Sequence, residues 1–188
     1  MSDHQGCGFH KKAAVVTGRA HGIGKGTTQT LWAQGWKVAV LDQGAEAVRD
    51  LSDEMPTDAL VSIRADVDGG RDVEKAFDKI TDWTKAMKEM EGIDWLISNA
   101  GIANPASISA SMLPCPRGLK LAPCAKAGVR GAVEHRTINL DRHLVDSVDD
   151  PSGIAATVSF LVFESAGFIT GQRIAVDGGM PRKMTYPH

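Results

Sequence analysis

The chain has 188 residues, 43% of them hydrophobic and 23% charged, with a net charge of −2. That length and balance fit one globular domain with a single core. The charge gives no electrostatic basis for binding nucleic acid or an anionic membrane, and no apolar run approaches a membrane span.

Residues 1–12 are polar and carry His4, His10, Lys11 and Lys12. They lack the apolar stretch of a signal peptide, so the cytoplasm is the expected location. The apolar run Ala13–Thr17 reads as a buried parallel strand ending at a glycine turn. Residues 23–34 continue as a helix, and Gly35 fits its stop. Lys37–Asp42 is a second apolar strand, ending on an acid. Residues 45–55 read as a helix stopped by Pro56, and residues 59–65 as a third strand followed by Asp66. From 71 to 91, Val73, Phe77, Ile80, Met87 and Met90 recur at helical spacing, with Ala76 and Trp83 alongside. Residues 93–98 form a fourth strand, closed by Asn99-Ala100-Gly101. Strands alternating with helices predict an α/β fold, a doubly wound parallel sheet covered on both faces.

The pattern changes after Gly101. Residues 102–124 show no clear period and hold Pro105, Pro114, Pro116 and Pro123, half of the chain's prolines. Such a density opposes both a central strand and a helix interior, which predicts a long loop. Residues 125–140 fit a helix. Asp150-Pro151 suits a helix start, with Ile154, Ala155, Val158, Leu161 and Val162 giving an apolar face. Residues 172–176 read as a last strand, ending in Asp177-Gly178-Gly179. Residues 180–188 form a tail. The whole is one domain: a nucleotide-binding half at 12–101, an irregular region at 102–150, and a C-terminal helix and strand at 151–179.

The glycine turn carries the chemistry. A phosphate at a helix N-terminus meets unpaired backbone N–H groups and the positive end of the helix dipole. Gly18, Gly22 and Gly24, in the spacing Thr-Gly-x-x-x-Gly-x-Gly, clear room for that approach. Asp42 ends the next strand, where a carboxylate can accept hydrogen bonds from adenosine ribose hydroxyls. Its charge opposes a 2′-phosphate, so NAD is expected and NADP is disfavoured. Arg19 and His21, both in the turn, offset part of that repulsion. Elsewhere the expectations are plain. Cys7, Cys115 and Cys124 lack CxxC spacing, and the six histidines form no HxH or HxxxH pair; neither a disulfide framework nor a metal site is predicted. Trp32, Trp36, Trp83 and Trp95 are read as packing residues, and Ser107, Ser109 and Ser111 as surface serines.

Together these residues resemble the short-chain dehydrogenase/reductase family. Thr17, Gly18, Gly22, Ile23 and Gly24 look like its cofactor turn. Asp66 and Val67 look like the pair whose acid meets the adenine. Asn99, Ala100 and Gly101 match its Asn-Ala-Gly signature. Residues 167–172 and 176–179 look like its closing segment. The resemblance covers roughly 12–101 and 151–179. It implies a Rossmann-like fold with central strand order 3-2-1-4, NAD as cofactor, and hydride transfer between a small-molecule alcohol and a carbonyl. It also implies a homo-oligomer among its partners, built through the closing segment.

The family's proton donor is a tyrosine, with a lysine four residues later that lowers its pKa. Here Lys126, in Cys124-Ala125-Lys126-Ala127-Gly128, resembles that lysine and is the candidate catalytic residue, but Ala122 stands at the tyrosine position. The chain's one tyrosine is Tyr186. The interval from Gly101 to Phe168 is shorter than in the family, so the strands that would carry its serine and its nicotinamide contact have no clear counterpart, and a sheet of about five strands is expected. Three readings stay open: an NAD-dependent oxidoreductase, a catalytically silent NAD-binding protein, and a truncated product of the lineage.

Overall fold

The structure, a computed structural model, describes residues 12–18, 22–55, 58–87, 90, 92–104, 107–110, 127–128 and 151–177. Lys126, Tyr186 and the three cysteines lie outside them, as do Arg19, His21 and Ser111. The described elements run β1 (Ala13–Thr17), α1 (Gly22–Ala33), β2 (Lys37–Asp42), α2 (Ala45–Glu54), β3 (Leu60–Arg64), α3 (Gly70–Ala86), β4 (Trp95–Ser98), β5 (Gly101–Asn104), β6 (Ser107–Ala110), β7 (Ala127–Gly128) and α4 (Pro151–Val162). A short 3-10 turn, Glu164–Ala166, follows α4.

Strands β3-β2-β1-β4-β7 form one parallel sheet in that order. The 3-2-1-4 centre is the order the family resemblance implies, and its parallel pairing follows from the sequence pattern: apolar strands buried on both faces need helical crossovers that return each strand parallel to the last. The alternation within each strand divides the core in two. Ala14, Val16, Val38, Val40 and Ile97 pack with Leu31 of α1, Leu51 of α2 and Val158 and Val162 of α4. Val15, Ala39, Leu41, Ile63 and Leu96 pack with Val73, Ala76, Phe77 and Ile80 of α3 on the other face. Each of these larger aliphatic side chains contributes about 1.5–3 kcal/mol by leaving water.

The termini of α1 matter for what lies above it. At its end, Gly35 N–H donates to Trp32 O (2.9 Å) and Trp36 N–H to Leu31 O (3.1 Å), the paired bonds of a glycine stop. Near its start, a Cβ on Gly26 would lie 3.3 Å from Pro151 Cβ and from its carbonyl oxygen, so α4 begins close against α1. Gln34 Nε2 donates to Ser159 Oγ (2.7 Å), which locks the far ends of the same two helices. Trp36 is fully buried, and the Lys12 ammonium lies 5.8 Å from its ring centroid while pairing with Glu164 at 3.0 Å. Among the described residues no helix is long and apolar enough to cross a membrane.

Four expectations change. The helix expected over 71–91 ends at Ala86, where the Met87 N–H turns back to Thr84 O. The stretch expected as loop contains an antiparallel hairpin, β5 with β6, in register Gly101↔Ala110 to Asn104↔Ser107; a two-stranded ladder needs neighbours rather than a periodic core face, so the missing period did not exclude it. The helix expected over 125–140 lies outside the described residues except for Ala127–Gly128, which is strand and pairs with Ile97–Ser98. That pair, and not 172–176, takes the fifth place in the sheet. Residues 172–176 are exposed and unpaired as strand, with Ile174 and Val176 facing water. The β-branched Ile174 and Val176 suit a strand, but a strand exists only where a ladder partner is in reach.

Candidate functional site

The crossovers place the ends of β1, β2, β3 and β4 side by side, and four loops converge there. In open α/β sheets the crevice outside the carboxyl ends of the strands is where ligands lie. Here that region holds every described residue expected at the cofactor.

Gly18 leaves β1 at φ +69°, a conformation L side chains rarely adopt. Its N–H donates to Leu41 O (2.9 Å). A Cβ added there would stand 2.4 Å from Ala100 Cα and 2.8 Å from Ala100 N. Glycine is therefore demanded twice, by dihedral angle and by the β4 loop pressed against it. Gly22, the first residue of α1, has φ +62°, but a Cβ on it would meet nothing within 4 Å. Among the described residues, the space that side chain would enter is open. Ile23 is half-buried and Gly24 buried, so the first turn is anchored in the protein. That turn has no acidic side chain to compete for the positive end of the dipole.

Thr17 and Asn99 tie β1 to β4. Thr17 is fully buried, and its Oγ1 accepts from the Asn99 N–H (3.1 Å) and the Ala100 N–H (3.0 Å). Asn99 Nδ2 donates in return to Thr17 O (3.0 Å) and Gly18 O (2.5 Å). Four bonds thus fix the glycine turn against a loop more than 80 residues away in sequence. Gly101 begins β5 directly after it.

Asp42 ends β2 and is 7% exposed. Its Oδ1 accepts from the Gly44 N–H (2.8 Å), which curls the chain into α2, while its carbonyl accepts from the Ala65 N–H (3.0 Å). Asp66 is exposed after β3, with Oδ1 accepting from the Asp68 N–H (3.0 Å), and Val67 packs partly into the core beneath. The structure thus brings Thr17, Gly18, Gly22, Ile23, Gly24, Asp42, Asp66, Val67, Asn99, Ala100 and Gly101 to one end of the sheet.

The fit to a dinucleotide rests on three features of this geometry. They are the open space at Gly22 over a helix N-terminus, the backbone-lined turn at Gly18, and a carboxylate at the end of the adjacent strand. One residue escaped the sequence reading. Arg64, the register partner of Asp42, donates from Nε to Gln43 O at 3.2 Å. It ends an ordinary strand, and only the pairing of β2 with β3 shows what it stands beside.

A family model described as short chain dehydrogenase matches residues 12–113, more than half of the chain. L-2,3-butanediol dehydrogenase of Corynebacterium glutamicum is 35% identical over 98 residues, which are 49% of this chain and 35% of that protein. The match thus spans about a third of the length of that relative. A 7alpha-hydroxysteroid dehydrogenase of Bacteroides fragilis is 24% identical, covering 92% of this chain and 95% of that one. Among solved structures, a short-chain dehydrogenase/reductase (glucose/ribitol dehydrogenase) from Brucella melitensis superposes with a TM-score of 0.66 at 20% identity, covering 92% of this chain and 97% of that one. That likeness is one of fold.

Proposed function

The chain belongs to the short-chain dehydrogenase family, and from that premise we propose that it binds NAD and serves hydride transfer between a small-molecule alcohol and a carbonyl. One observation carries the cofactor half of this reading: the start of α1 at Gly22, where an added Cβ would meet nothing within 4 Å among the described residues, lies at the same end of the sheet as Asp42. In this reading the first N–H groups of α1 hold the pyrophosphate. Asp42 accepts from the adenosine ribose hydroxyls, and its charge selects against a 2′-phosphate. Asp66 and Val67 border the adenine. Thr17 and Asn99, with their polar groups already engaged, keep the turn and the β4 loop in place. When bound, the nicotinamide supplies or accepts the hydride. Lys126 is proposed as the cation near the reacting oxygen.

A second reading, NAD binding without turnover, is favoured by one sequence observation: Ala122 stands four residues before Lys126, and Tyr186 is the chain's one tyrosine. A methyl group cannot pass a proton. Two measurements separate the readings. Titration of the chain with NAD is expected to saturate, and Asp42→Ala to weaken binding about tenfold or more, as loss of a charge-assisted hydrogen bond requires. Unchanged affinity in the variant would remove Asp42 from the site. Incubation with NAD and secondary alcohols is then followed at the absorbance of reduced nicotinamide. No signal above a protein-free blank decides for binding alone.

A further inference from the structure

The end of β3 holds a cation that the proposed site does not use. Arg64, on the edge strand β3, pairs in register with Asp42 on β2. Its Nε donates to the carbonyl of Gln43, the residue after Asp42. The guanidinium is therefore fixed one residue along the chain from the carboxylate. A guanidinium carries five N–H donors, and this bond uses one of them. Among the described residues its other nitrogens have no partner, in ion pair or hydrogen bond. The Asp42 carboxylate meanwhile accepts from the Gly44 N–H. The β2–α2 turn is thus held from within by a carboxylate and from outside by a guanidinium.

The surroundings add to this. Arg64 borders a cleft of about 620 Å³ whose wall includes Gln43, Asp66, Lys75 and Lys79. Lys75 and Lys79 stand four residues apart on α3, where like charges repel by a few tenths of a kcal/mol. Neither is in an ion pair among the described residues. Asp72 also lines the cleft, so its cations outnumber its carboxylates by one. Of its cations, Arg64 is the one bonded to the backbone.

We propose that Arg64 is a specificity-determining residue of the nucleotide site, presenting a fixed cation to a phosphate monoester on the adenosine 2′-hydroxyl. The inference rests on the proposed placement of the adenosine ribose at Asp42. A planar guanidinium matches a phosphate through paired N–H donors, and its charge cannot be titrated away. Asp42 repels such a phosphate and Arg64 attracts it, from neighbouring strand ends. The preference for NAD is then a graded difference between two opposed charges. The neutral 2′-hydroxyl of NAD is nearly indifferent to Arg64.

Calorimetric titration of the full chain with NAD and with NADP tests this, in the wild type, D42A and D42A/R64Q. D42A is expected to narrow the preference for NAD. Adding R64Q in that background is expected to lower the ratio of NADP to NAD affinity about tenfold, the loss of one charge-assisted contact. Arg64 is exposed, so R64Q removes no core contact. R64K keeps the charge without the planar fork and is expected to recover part of the ratio. A ratio that R64Q leaves unchanged, with NAD still bound, overturns the role of Arg64 and leaves the cofactor reading standing. A wild-type chain that binds neither dinucleotide overturns both.

Discussion

Alanine at Gly22 and alanine at Gly18 pose the same backbone problem in two different surroundings. Both glycines sit at positive φ, +62° and +69°, where an L side chain costs about 1–2 kcal/mol. At Gly22 the new methyl meets nothing within 4 Å. Reduced freedom of the unfolded chain returns about 0.4–1 kcal/mol. The net loss of stability is then about 1 kcal/mol, or a fall of about 2–4 °C in Tm for a chain of this size. At Gly18 the methyl lies 2.4 Å from Ala100 Cα, and a backbone atom cannot swing aside. Overpacking of that kind adds about 1–3 kcal/mol, so Gly18→Ala should cost about 2–4 kcal/mol in all. Binding should rank the other way relative to stability. The methyl of Gly22→Ala stands in the open space over the start of α1, where the pyrophosphate must come within hydrogen-bond reach. Losing one such bond to a charged group weakens NAD at least about tenfold. Urea denaturation followed by tryptophan fluorescence gives the stabilities, and calorimetric titration with NAD gives the affinities. Wild-type affinity in Gly22→Ala would refute the placement of the phosphate. Equal stability of the two variants would refute the contact between Gly18 and Ala100.

Other substitutions follow from the same contacts. Thr17→Val keeps the shape of a fully buried side chain but leaves the N–H groups of Asn99 and Ala100 without their acceptor; denaturant titration should show a loss of about 2–4 kcal/mol. Trp36→Ala empties a fully buried site and should cost about 3–5 kcal/mol, whereas Trp36→Phe should cost less, because the indole N–H it removes has no hydrogen-bond partner among the described residues. Lys25→Ala breaks a half-exposed ion pair with Glu54 and should shift stability by less than about 1 kcal/mol in the same assay.

The sequence was most informative where function depends on neighbours in the chain. Gly18, Gly22 and Gly24 stand out because a strand ends and a helix begins around them, and that junction is local. Asp42 stands out because it closes an apolar run. Where the reading missed, distant partners decided the outcome. Residues 172–176 read as a strand and yet lie exposed, while the two residues Ala127–Gly128, which carry no strand signal, pair with Ile97–Ser98. Residues 101–104 and 107–110 lack a period and yet pair as antiparallel strands. Arg64 has no local signature at all.

Four strands, their faces and the glycine turn were settled by the chain's own periodicity, since burial on both faces of a parallel sheet writes itself into short apolar runs. The glycine turn and the place of Asp42 at a strand end belong to that part; the order 3-2-1-4 came with the family resemblance. Tertiary structure alone decided that Gly18 must be glycine because Ala100 presses on it, that the Thr17 hydroxyl is spent on the β4 loop, and that Arg64 reaches the carbonyl of Gln43. Those facts depend on strand register and loop approach across 20 to more than 80 residues of sequence. A hydrogen bond over such a span is fixed by where the sheet brings its two ends, and no local pattern records it.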